Sequence, residues 1–109
     1  MNGDLLRKID QMIELEEKFL PKFPQGSSQH GLLQNRIRSL QIARDLVVEE
    51  RIPSEEELRF ALPRMESILH KTRKARDKYE ECSRNFRRFD PTVQTMEQVC
   101  AAMLRVLEG

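Results

Sequence analysis

The stretch SEEELRFALPRMESILHKTRKARDKYEECSRNFRRF, residues 54–89, decides the fold. Leu58, Met65, Thr72, Tyr79 and Phe86 recur every seven residues, with Ala61, Leu62, Ile68, Leu69, Ala75 and Cys82 between them. Alternating steps of three and four put these side chains on one face of a helix, a face that other helices must cover. Ser54-Glu55-Glu56-Glu57 opens it as a capping box: the Ser54 hydroxyl serves the third amide and Glu57 reaches back. The three carboxylates also complement the helix dipole. Pro63 interrupts the pattern, because inside a helix it removes a hydrogen bond and crowds the preceding turn, at ~3 kcal/mol. Unbroken, the helix would be about 50 Å long beside neighbours of about 25–33 Å. The expectation is a third helix kinked or broken near Pro63, its first piece spanning about 55–61.

Downstream, Phe89-Asp90-Pro91-Thr92 reads as a sharp turn. Asp90 is a strong N-cap residue, and Pro91 fits the first helical position, where a missing N–H costs nothing. The last helix then runs to about Leu107, with Val93, Met96, Val99, Cys100, Met103, Leu104 and Leu107 inward.

Upstream, a first helix is expected over about Asp4–Leu20, capped by Asn2 or Asp4. Its stripe is Leu5, Ile9, Met12, Ile13, Phe19 and Leu20. Pro21 and Pro24 stop it, and residues 21–28 form a loop from which Phe23 folds back on the core. Ser27 or Ser28 caps a second helix running from about Gln29 to Glu50. Leu33, Ile37, Leu40, Ala43 and Val47 line its inner face, widened by Leu32, Ile42, Leu46 and Val48. His30, Gln34, Arg38, Gln41 and Asp45 line the opposite face. Arg51-Ile52-Pro53 is the break before Ser54. Four amphipathic segments with short connections predict an all-α protein, an antiparallel up-down four-helix bundle, within a single domain over residues 1–109.

Composition agrees. The 109 residues include no Trp, one Tyr, five Phe and five Met, so the core is aliphatic. Charged residues are abundant (34%), yet the net charge is only +1; no global field draws nucleic acid or a membrane surface. Cys82 and Cys100 form no paired motif, which fits a reducing, cytoplasmic setting and excludes a disulfide scaffold. No apolar run approaches ~18 residues, so neither a membrane span nor membrane association is expected.

Three constellations carry possible chemistry. Lys71, Arg73, Lys74, Arg76, Lys78, Arg84, Arg87 and Arg88 form a basic run, with only Asp77, Glu80 and Glu81 against it. Its cations border the apolar seam, Lys71, Lys74 and Lys78 on one side. The structural reading has their stems covering core edges and their heads paired with Glu14, Glu16, Glu17, Glu49 or Glu50. The functional reading makes them a surface for a nucleic-acid backbone or an acidic protein. The second constellation is the start of the second helix, where Ser28, Gln29 and His30, followed by Asn35 and Arg36, offer donors to an anion or a partner. Third, Arg64 and His70 resemble the Arg-x4–6-His element of small helical ribonuclease domains. That resemblance implies RNA cleavage dependent on His70, but it rests on two residues. Only two His and no Glu-x-x-His pattern leave no metal site or cofactor to expect, and no catalytic residue is assigned.

The function expected is therefore that of a non-enzymatic accessory module binding another protein, or a second copy of itself, through an apolar stripe left open along the third helix. Nucleic-acid binding through the basic third helix is the alternative.

Overall fold

The computed structural model describes residues 2–109, the side chain of Asn2 excepted. Helices α1 (Asn2–Phe19), α2 (Ser28–Val48), α3 (Glu55–Arg76) and α4 (Arg84–Glu108) follow in order, with a 3-10 turn, Leu20–Lys22, after α1. No strand occurs among the described residues. Helices consecutive in the chain pack on one another, most extensively α3 on α4, while α4 also touches α1 and α2. α1 and α3 do not meet, so they lie diagonally across a four-helix bundle.

The periodicities account for its core. Ile9 from α1, Leu40 and Ala43 from α2, Leu58, Ala61 and Met65 from α3, and Val93, Met96 and Met103 from α4 are all fully buried. Methionine, unbranched and adaptable, supplies three of these buried side chains, Met65, Met96 and Met103. Two buried hydroxyls find acceptors one turn back: Ser39 Oγ donates to the Asn35 carbonyl at 2.8 Å, and Thr95 Oγ1 to that of Pro91 at 2.8 Å. The Ser54–Glu57 capping box forms as expected. Ser27, not Ser28, is the cap of α2. α1 already runs from Asn2, so its cap lies outside the described residues, and Asp4 pairs with Arg7 inside the helix.

Neither expected break divides a helix. α3 is not divided at Pro63, and Pro91 lies inside α4 rather than at its start. Each proline is exposed. The carbonyls they leave without an intrahelical donor, those of Arg59 and Arg87, are therefore on the solvent side, where water serves them. The long stretch is instead cut at residues 77–83. There the Ser83 N–H donates to the Glu80 carbonyl at 3.0 Å, and Cys82 takes φ = +72°. That is a type II turn with Cys82 at the position that normally holds glycine. The α1–α2 connection closes identically: the Ser27 N–H donates to the Pro24 carbonyl at 3.0 Å with Gly26 at φ = +84°. In both, the serine ending the turn caps the next helix, Ser27 accepting from the His30 amide and Ser83 from the Phe86 amide. Asp90, expected as a cap, accepts instead from Arg76 at 2.8 Å and Gln94 at 2.7 Å. Starting α4 early lets Phe86 meet Arg76 and Phe89 meet Tyr79.

The third connection has a different closure. Arg51 donates to Asp45 in the last turn of α2 at 2.8 Å and to both Glu57 oxygens in the first turn of α3 at 2.9 Å. The two carboxylates hold the Arg51 guanidinium above its ordinary pKa. Glu57 is pushed down to about 2, first by Arg51 and then by the Ser54 amide.

Candidate functional site

α1 carries more apolar residues than one stripe needs. Leu5, Ile9, Ile13 and Leu20 face the bundle. Met12, Leu15 and Phe19, at a spacing of three and four, form a second ridge beside it. Leu15 is 56% exposed and Phe19 42%, and Leu32 of α2 is 55% exposed. Phe19 and Leu32 were expected inside. The reason lies in the register of α2: with the cap at Ser27, positions 30, 33, 37 and 40 form the buried ridge, and Leu32 falls beside it. The same register corrects His30, expected on the outward face, which is buried at the head of that ridge.

Leu15, Phe19, Phe23 and Leu32 line a groove of about 370 Å³ between α1 and α2, with Gln29 and Arg36 at its polar edge. The Lys22 ammonium lies 4.8 Å from the centre of the Phe19 ring, a cation–π contact. Arg36 faces Glu16 at 3.4 Å. This pair also borders a second cleft, of about 270 Å³, where Met12 and Leu15 face Ile68, Lys71 and Thr92 across the two hairpins.

Among the residues expected to bind, Gln29, Arg36 and Lys71 thus converge on two adjoining depressions. Ser28, Asn35, Lys74 and Lys78 are exposed but line neither. The apolar residues Leu15, Phe19 and Leu32 were missed as site residues. Their signal was the surplus second ridge of α1 and the doublet Leu32-Leu33. No open stripe runs along α3, since Leu58, Ala61, Met65 and Ile68 are all buried.

The basic run resolves into two sets. Arg73 pairs with Glu97 at 2.9 Å, and Arg76 with Asp77 at 2.9 Å and Asp90 at 2.8 Å; Asp77 first, then Asp90, raises the Arg76 pKa. Lys71, Lys74, Lys78, Arg84, Arg87 and Arg88 meet no carboxylate within the 4.0 Å of an ion pair among the described residues. The partners expected for this run, Glu14, Glu16, Glu17, Glu49 and Glu50, do not pair with it. Beside these cations Tyr79 stacks on Phe89, ring centres 6.3 Å apart and planes 11° from parallel. Tyr79 remains 41% exposed.

Arg64 is committed locally: its guanidinium lies 4.0 Å from the centre of the Phe60 ring and donates to the Phe60 carbonyl at 2.7 Å. His70 is exposed, and six helical positions separate the two by about 120° around the axis. Cys82, placed by its spacing on the apolar arc, is exposed, whereas Cys100 is buried. Burial, with Glu66 nearby, pushes the Cys100 thiol up to about 11. Among the described residues, no group of three or more His, Cys, Asp or Glu is placed to hold a metal ion, and no helix is long and apolar enough to cross a membrane. No family model, curated protein or solved structure matches this chain.

Proposed function

We propose that this protein is an interaction module that docks an amphipathic helical segment of a partner protein in the α1–α2 groove. The observation that carries this reading is the grouping of Leu15, Phe19 and Leu32, all exposed, around one concavity. Each such side chain left in water forgoes ~1.5–3 kcal/mol of burial. A trough between two antiparallel helices is the shape that accepts a third helix through apolar anchors at i, i+3/i+4 and i+7. Charge narrows the partner further. The two charged residues that line the groove, Glu16 and Arg36, face each other, and the Lys22 ammonium on the Phe19 ring adds a cation at its end, which suits a segment with an acidic flank there.

The test is to select a displayed library of helical peptides on the wild-type protein, with counter-selection on Leu15→Glu/Leu32→Glu. Both positions are exposed, so the variant keeps its fold, checked by circular dichroism. Peptides with spaced apolar anchors and an acidic flank should enrich on the wild type alone. Identical enrichment on both proteins would reject the groove. Sedimentation of the same pair addresses self-association: a dimer abolished by the double variant would make a second copy the occupant and overturn the heterologous reading.

A further inference from the structure

We infer a second, separate binding surface: the α3–α4 turn holds single-stranded nucleic acid, with Lys71, Lys74, Lys78, Arg84, Arg87 and Arg88 on its phosphates and Tyr79 under a base. The inference uses none of the groove residues and stands or falls independently of the docking reading.

Three observations combine. These six cations come from the last two turns of α3, the connection and the first turns of α4, so the hairpin gathers them at one end of the bundle. They make no ion pair, while Arg73 and Arg76 on the same hairpin are consumed by Glu97, Asp77 and Asp90. The carboxylates of the connection offset them only in part: Asp77 is taken by Arg76, and the exposed Glu80 and Glu81 pair with none of the six, which leaves the turn four positive charges in excess. Finally, Tyr79 is exposed yet held, its ring backed by Phe89, and Arg88 in turn lies 5.8 Å from the centre of the Phe89 ring. An aromatic ring fixed from behind, within a field of cations, is the arrangement that stacks one unpaired base while its backbone is neutralised. Duplex nucleic acid and acidic polypeptide could use the charges but not the ring, and this favours a single strand.

The full chain is titrated by fluorescence anisotropy against a labelled 16-nucleotide single strand, the corresponding duplex, and polyglutamate. If all six cations contact phosphate, affinity for the single strand falls by about 300-fold between 50 and 200 mM salt. Arg84→Gln/Arg87→Gln/Arg88→Gln then flattens that dependence by about half, as does Lys71→Gln/Lys74→Gln/Lys78→Gln. Tyr79→Ala weakens single-strand binding about ten-fold and Tyr79→Phe restores it, whereas Leu32→Glu, in the groove and away from Lys71, leaves it unchanged. Binding that is absent at 50 mM salt overturns the inference. So does polyglutamate binding as tightly as the single strand, or a duplex preference indifferent to Tyr79→Ala.

Discussion

At the scale of single residues, Cys82 holds a conformation that an L-amino acid adopts at a cost of about 1 kcal/mol. Cys82→Gly should therefore raise the free energy of unfolding in urea by about 1 kcal/mol. Gly26→Ala, at the matching position of the first connection, should lower it by a similar amount. Nothing lies within 4 Å of where the Gly26 methyl would project, so that loss would be conformational and not steric. The Arg51 clasp gives a pH signature. Glu57 has its folded pKa depressed to about 2, so its contribution is complete above the ordinary carboxylate value near 4.5. It is lost as pH falls from there toward 2. Glu57→Gln should flatten the acid limb of the stability curve in that window, measured by denaturation at successive pH values, and lower stability in the neutral range without changing its slope there.

The elements explain which parts of the architecture were legible from residues alone. Helical period and serine caps are local, and Ser54, Ser27 and the core positions Ile9, Leu40, Met65 and Met96 could be placed from them. The breaks could not. Proline is the strongest local stop signal, yet Pro63 and Pro91 fall on the outer face, where a lost hydrogen bond is replaced by water. The true stop uses Glu80-Glu81-Cys82-Ser83, a glycine turn without its glycine. Its only visible cue is that Cys82-Ser83 stands where Gly26-Ser27 stands in the first connection. The candidate site was half legible for a related reason. Gln29, Arg36 and Lys71 are chemically conspicuous, whereas Phe19 and Leu32 look like core until the register of α1 and α2 is known. Because α3 continues through Pro63, Pro63→Ala should restore a donor to the Arg59 carbonyl without moving the helix. The expected gain is about 1 kcal/mol, read as a higher urea midpoint with an unchanged slope.

Across the whole molecule, charge is unevenly shared. Residues 14–36 and 68–92, which surround the two hairpin turns, carry eleven Lys or Arg and seven Asp or Glu, a net +4. The rest of the chain carries eight and eleven, a net −3. A net charge of +1 thus conceals a dipolar body. The protein should be retained on a cation-exchange column just above its isoelectric point of about 7.8, and Lys71→Glu/Lys74→Glu/Lys78→Glu should abolish retention. Both surfaces argued for above, the groove and the aromatic turn, lie toward this positive end. The up-down order sends Asn2, Glu108 and the Arg51 clasp to the opposite one. One practical consequence concerns tethering. A fluorophore, biotin or fusion partner attached through Gly109 would hang from the acidic pole, about 37 Å of helix away from the start of α4. Immobilised in that way on a sensor chip, the molecule would present its working surfaces outward, and a label there would report binding without obstructing it.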